Sequence, residues 1–220
     1  MRQFVFSRGS VWLRASLMLA LVLLVAPGVR AAAAIDSSAP QKLIETSSQA
    51  LLADLDANRA TYRKDPTGLY KVVETVFLPH VDVDFAAQQV LGKYWREADA
   101  SQRKRFVTAF YQSLLHTYGD ALVEFTSDRL KVLPYQGDTA ADRGTVRTEI
   151  RRSNGSAVAV NYSMRKTATG EWKAWDVVIE GISYVKSFRE DFGREIEQKG
   201  LEAVIKRLES GTALPAPGKK

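Results

Sequence analysis

The stretch GTVRTEIRRSNGSAVAVNYSMRKTATGEWKAWDVVIEGIS, residues 144–183, decides the fold. Its side chains alternate with a period of two, the pattern of half-buried strands. Over Gly144–Arg152, Val146, Thr148 and Ile150 fall on one side and Arg147, Glu149 and Arg151 on the other. Ser153-Asn154-Gly155-Ser156 follows, and Asn-Gly tolerates the positive φ of a type I′ turn, so a hairpin is expected there. Val158, Val160, Tyr162 and Met164 then share a face opposite Ala157, Ala159, Asn161 and Ser163. A second turn at Thr167–Gly170 leads into Trp172–Ile182, where Asp176 and Glu180 share one face and leave Trp175, Val177 and Ile179 for the other. Upstream, Arg129–Tyr135 reads as the first strand, stopped by Gly137-Asp138. Strands joined by such short turns form an antiparallel meander.

Outside this region the period is helical. Pro40–Arg63 carries Leu43, Ser47, Leu51 and Leu55 at helical spacing, with Ser37 or Ser38 as a possible cap. Asp65-Pro66 opens a second helix with Leu69, Val72, Val73 and Val76 on its apolar face, ended by Leu78-Pro79. Asp82 or Asp84 can cap a third, holding Phe85, Ala86, Val90 and Leu91 and stopped at Gly92. Asp99–Phe125 is the strongest helical signal: Phe106, Phe110, Leu114, Tyr118, Leu122 and Phe125 form one long stripe, widened by Tyr111 and Leu115. Ser187–Gln198 and Leu201–Leu208 form a final pair around Gly200. Helices followed by a meander predict an α+β fold, with helices packed on one face of a curved sheet around an apolar pocket. We expect a single domain over residues 32–210 and a flexible tail over 211–220, where Pro215 and Pro217 lie.

Residues 1–31 contain Arg2, Arg8, Arg14 and Arg30 and no acid, and Leu17–Val25 is an unbroken apolar run broken by Pro27-Gly28. A basic start, a short apolar run and a small-residue exit at Ala31 or Ala33 read as a cleaved secretory signal peptide, the alternative being an uncleaved anchor. The whole chain has 220 residues with 31 Lys+Arg, 25 Asp+Glu and a formal charge of +6. Removing the four N-terminal arginines leaves +2, which Lys219 and Lys220 account for. A near-neutral folded part withdraws the support for nucleic-acid binding through a basic surface. The absence of cysteine excludes disulfides, thiolate metal sites and thiol catalysis.

Catalytic signals are sparse. His80-Val81-Asp82-Val83-Asp84 places potential metal ligands together, but a closed site needs further ligands, and Asp82 or Asp84 is better used as a helix cap. His116 borders the apolar stripe. Gly181-Ile182-Ser183 lacks the second glycine of a nucleophile elbow. Asp176, close to Trp172 and Trp175, is a candidate acid or base, or else a strand aspartate held in a hydrogen bond. No metal, no cofactor and no enzymatic activity is expected. What remains is the inventory of a carrier, with branched apolar residues on a sheet face, aromatics on a helix and few polar groups converging.

Several stretches together carry a resemblance. They are Leu78-Pro79-His80-Val81-Asp82, then Val90-Leu91-Gly92-Lys93-Tyr94-Trp95-Arg96, then Gln102-Arg103-Lys104-Arg105-Phe106 with Phe110, Leu114-Leu115 and Thr117-Tyr118 downstream. Trp172, Val177 and Glu180-Gly181-Ile182-Ser183 complete the series. In order and spacing the chain resembles the MlaC family of periplasmic phospholipid-binding proteins, the toluene-tolerance or Ttg2-type proteins, over Pro40 to Leu208. The resemblance implies a soluble periplasmic carrier. It would take phospholipid between an outer-membrane lipoprotein–porin complex and an inner-membrane ABC transporter bearing a lipid-binding ring domain, and so maintain outer-membrane lipid asymmetry. It also implies a fold reminiscent of nuclear transport factor 2, with acyl chains in the interior and the head group near the surface.

Strand parity and stripe position, rather than any family motif, supply the expected lipid-binding residues: Val146, Ile150, Val158, Val160, Tyr162, Trp175, Val177 and Ile179 from the sheet, with Phe110 and Leu114 from the helix. Arg147, Arg151 and Arg165 are candidates to meet a phosphate at the mouth, or else lie on a solvated face. Two other readings stay open: a small-molecule enzyme on a similar cone-shaped fold with Asp176 or His116 as base, and a carrier of another apolar lipid such as a hopanoid.

Overall fold

The alternation is realised as five strands paired antiparallel in chain order: β1 Leu130–Val132, β2 Arg143–Arg151, β3 Ala157–Lys166, β4 Trp172–Ile179 and β5 Ile182–Ser183. The computed structural model describes residues 35–126, 129–138, 140–152 and 154–215, so the segment read as a signal peptide lies outside the described residues. The helices are α1 Pro40–Tyr62, α2 Thr67–Val72, α3 Val83–Leu91, α4 Lys93–Glu97, α5 Ala100–Tyr118, α6 Tyr184–Lys199 and α7 Leu201–Glu209. A π-helical turn over Val73–Phe77 and a 3₁₀ turn over Leu78–His80 extend α2. No helix among the described residues is long and apolar enough to cross a membrane.

Local chemistry sets the helix starts. Pro40 occupies the first turn of α1, where its missing N–H costs nothing. The Asp82 carboxylate accepts from the Phe85 N–H at 3.1 Å and caps α3. Asp99 caps α5 reciprocally with Gln102, a capping box that satisfies two orphan donors. Gly92 ends α3 at φ 55°, and α4 restarts at once, a short helix that periodicity does not reveal.

Other boundaries differ from the sequence expectation for physical reasons. Helix α5 stops at Tyr118, and Asp120–Glu124 tightens into a 3₁₀ turn instead of carrying the stripe to Phe125. Strand β4 stops at Ile179, because Glu180 at φ 49° and Gly181 at φ 84° reverse the chain and pair Ser183 with Val178. Helix α6 therefore starts three residues early, capped by the Ser183 Oγ accepting from the Lys186 N–H. In the β2–β3 turn Gly155 takes φ 84° and the Arg152 N–H donates to the Ser156 carbonyl at 2.7 Å, while Ser153 lies outside the described residues.

One irregularity in the sheet matters most. Tyr162 faces Val177 and Ser163 faces Asp176, but Met164 faces Ala174, so β4 carries an extra residue at Trp175. Such a bulge shifts the parity of everything beyond it. Trp172 and Ala174 thus join Val146 and Met164 on one face, where Leu43 and Ile44 of α1 cover them. On the opposite face, Arg165 pairs with Asp82 and its guanidinium lies 4.3 Å over the Phe85 ring. Trp175 meets the same ring edge-on at 5.3 Å. Helices therefore reach both faces of the sheet at β4, not one. The edge of β4 takes a parallel bridge from Val81, which holds the start of α3 in place.

Two further cores are helical. Phe106 and Phe110 of α5 pack with Phe188 and Phe192 of α6, backed by Val204, Ile205 and Leu208 of α7. Leu52 and Leu55 of α1 meet Leu69, Val73, Leu115 and Val123. Of the expected tail, 211–215 include residues packed on the helices, and 216–220 lie outside the described residues. Leu214 is buried in the aromatic core, its N–H donates to the Thr117 Oγ1 at 3.0 Å, and the Tyr118 hydroxyl donates to the Pro215 carbonyl.

Candidate functional site

Residues directly opposed in an antiparallel ladder point to the same face. The register therefore groups Val146–Tyr162–Val177, Thr148–Val160–Ile179 and Ile150–Val158 on one side of the sheet. Leu130 and Val132 of β1 extend that face, opposite Ile150 and Thr148. Val146 is fully buried beneath α1. Ile150, Val158, Val160, Val177 and Ile179 join none of the three cores, and Ile150, Val177 and Ile179 are only half-buried. Five neighbouring apolar side chains on three central strands thus form a strip that no helical core covers.

The polar groups on this face are quenched. Thr148 is buried and its hydroxyl donates to the Val160 carbonyl at 2.7 Å within the sheet. Burial raises the Tyr162 hydroxyl above its ordinary pKa of 10.0, so it stays neutral. Tyr111 of α5 packs against the second core, and its buried hydroxyl has no hydrogen-bond partner among the described residues. Burial, then the Glu74 charge, pushes its pKa up to about 12. The strip accordingly offers contact area without charge, which suits an apolar ligand.

The sequence-derived residues divide. Val146, Ile150, Val158, Val160, Tyr162, Val177 and Ile179 share the face. Trp175 does not, because the bulge turns it toward Phe85 of α3. Phe110 is 2 % exposed and enclosed by Phe106, Phe188 and Phe192, with ring centroids 5.4–5.7 Å apart, and Leu114 borders that same core. The stripe on α5 serves two cores, since Tyr111 and Leu115 belong to the second. Leu130 and Val132 were missed, although their own alternation would have placed them on the face.

The polar candidates are committed elsewhere. Asp176 accepts from the Ser183 hydroxyl at 2.6 Å on one oxygen and from the Val185 N–H at 3.0 Å on the other, so it fastens the start of α6 to β4. It sits beside Ser163, on the face away from the strip. His116 is exposed and lies edge-on to Tyr70 at 5.1 Å. Burial first, and Lys173 second, lower the His80 pKa. Arg147 lies opposite Asn161 and Arg151 opposite Ala157 on the outer side, while Arg165 is spent on Asp82. None of the three arginines shares the face with the strip.

Comparison with known proteins places this geometry. The chain is 32% identical over 162 residues to the toluene tolerance protein ttg2D of Pseudomonas putida, covering 73% of this chain and 74% of that protein. It is 25% identical over 184 residues to the intermembrane phospholipid transport system binding protein MlaC of Haemophilus influenzae, covering 83% and 86%. Its fold is similar to that of a phospholipid-binding protein from Ralstonia solanacearum solved in complex with a phospholipid, with a TM-score of 0.73, 21% identity, and coverage of 79% of this chain and 96% of that one. A family profile described as MlaC protein matches residues 45–210, and on that match the chain belongs to the MlaC family.

Proposed function

We propose that this protein is an exported, periplasmic carrier of phospholipid that binds the acyl chains and performs no chemistry on them. The observation that carries the reading is the apolar strip of Ile150, Val158, Val160, Val177 and Ile179, which joins none of the three cores and whose Ile150, Val177 and Ile179 are half-buried, on a face whose polar groups are satisfied or neutral. The names of the relatives, a phospholipid transport binding protein and a toluene tolerance protein, support it.

The energetics explain why such a surface is needed. Each methylene moved from a bilayer into water costs about 0.8 kcal/mol. A diacyl lipid with roughly thirty methylenes therefore faces a barrier of about 24 kcal/mol on that coefficient. A carrier removes the barrier by matching the apolar shelter of the bilayer, so that transfer is close to isoenergetic. It must hold the head group loosely, because tight capture would block delivery. An apolar strip with no arginine on its face is suited to that loose hold. In this reading lipid passes between an outer-membrane lipoprotein–porin complex and an inner-membrane ABC transporter with a lipid-binding ring domain, and the traffic preserves outer-membrane asymmetry.

The test is to purify the mature chain from a bacterial periplasm without detergent, extract it with organic solvent and identify the lipids by mass spectrometry. Near-stoichiometric diacyl phospholipid is expected. A hopanoid or sterol-like lipid in its place would assign a different apolar cargo. No lipid, and no uptake from liposomes afterwards, would overturn the carrier reading.

A further inference from the structure

Two depressions meet on the helical side of the molecule, away from the strip. One, of about 540 Å³, is walled by α3, α4 and α6 and includes Gly92, Lys93, Trp95 and Arg96. The other, of about 300 Å³, includes Trp175, Ser183, Val185 and Lys186. Gln89 and Arg189 line both, so the two form one groove with a tryptophan toward each end.

Arg189 is fixed at the junction. Its Nε donates to the Gln89 carbonyl at 2.6 Å, and its guanidinium lies across Gly92, where any Cβ would come within 3.1 Å of it. Glycine at 92 is thus favoured by its positive φ, and a Cβ there would press on the arginine above it. The terminal nitrogens of Arg189 have no partner among the described residues, so the planar fork is available to a carboxylate. Lys93, Arg96, Lys186 and Arg189 outnumber Glu190 and Glu197 among the lining residues, and Glu197 is already held by Lys93 and Tyr94. At the other end the apolar lining is Trp175 and Val185, beside Ser183, whereas Ile182 pairs with Ile179 and so faces the strip. Leu91–Arg96, within one stretch that carried the family resemblance, and Ser183, the last residue of another, line this groove.

We propose that the groove docks an acidic segment of a partner protein, with carboxylates on Arg189 and Arg96 and an apolar residue seated against Trp175. Arginine and tryptophan are among the residue types that dominate protein interfaces. The cationic excess would steer an acidic segment in and fix its register. A bilayer surface engages protruding residues, whereas a cleft between helices with its arginine tied at the junction admits a chain. The inference stands apart from the carrier reading, since docking here needs no lipid.

The experiment is a titration of the full mature protein with a short synthetic peptide of glutamate and aspartate around one leucine, followed by backbone amide NMR. A lysine version of the peptide, inorganic phosphate and phosphatidylglycerol vesicles run in parallel. Saturable binding of the acidic peptide is expected, with shifts centred on the amides of Gly92, Ser183 and Gly193. Binding should weaken about tenfold or more in Arg189→Glu and in Arg96→Glu. Lipid content, measured on the same samples, should be unchanged, which separates failure of docking from failure of the carrier reading. If Arg189→Glu does not fold, Arg96→Glu and Lys186→Glu, both at exposed positions, carry the test. No saturable binding, equal binding of the lysine peptide, equal shifts from phosphate or vesicles, or undiminished binding in the folded variants would overturn the proposal.

Discussion

The aromatic core between α5 and α6 and the strip across β2, β3 and β4 are both apolar, yet they are finished differently. In the first, Phe106, Phe110, Phe188 and Phe192 close on one another as stacked and edge-on pairs, with α7 sealing the back. In the second, Ile150, Val177 and Ile179 remain half-buried on a face that α1 covers only at its Val146 end. Close-packed rings contribute dispersion and apolar burial to stability. Apolar side chains left uncovered contribute less to stability and present contact area for a ligand. The contrast separates residues that hold the molecule together from residues available to bind.

The largest expected effect lies in the closed region. Phe192→Ala should destabilise the protein by about 3–5 kcal/mol, the usual cost of emptying a packed aromatic site. Denaturant unfolding reads the loss, and lipid content at low temperature, where the variant is folded, should match the parent. A comparable loss of stability from Val177→Ala, which deletes less and sits half-exposed, would erase the contrast.

Asp176→Ala should cost about 1–3 kcal/mol by leaving the start of α6 without its charged acceptor, again with lipid retained. Loss of a turnover activity without loss of stability would instead restore the enzymatic reading of that residue. Tyr111→Phe should leave stability unchanged or raise it by up to about 1 kcal/mol, because it removes a buried hydroxyl that has no partner. A clear destabilisation would show that the hydroxyl is bonded after all. The smallest effect is a pH dependence at His80. Its folded pKa lies below the ordinary 6.5, so the unfolded chain binds the proton more tightly. Its contribution is therefore present above that range and is lost as pH falls through it. His80→Gln should flatten the acid side of the thermal-stability profile between pH 7 and 5, and an unchanged profile would contradict the assignment.

Strand order, register and the shared face were legible because one strand face alternates with arginines and glutamate while the other keeps valine, threonine and isoleucine. Helix starts were legible where the cap is local, as at Asp82 and Asp99. The bulge was not, since nothing in Ala174-Trp175-Asp176 signals that two residues there face one opposite, and Trp175 was assigned to the wrong side on parity alone. Periodicity groups Phe110 with the sheet strip because a stripe shows which side of a helix is apolar and not which core it meets. The cap that starts α6 at Tyr184 draws on Asp176, a contact made by the turn at Glu180-Gly181 and invisible to local periodicity. Leu214, past two helix-breaking signals, looked like tail until packing supplied its partners.

The central claim is that acyl chains lie against the strip and not within the aromatic core. A phospholipid carrying a diazirine near the end of one acyl chain can be loaded from liposomes, irradiated and its attachment points mapped by peptide mass spectrometry. Labelling is expected at Ile150, Val158, Val160, Val177 and Ile179. Labelling concentrated at Phe106, Phe188 and Phe192, or on the outer side at Arg147 and Asn161, would contradict it.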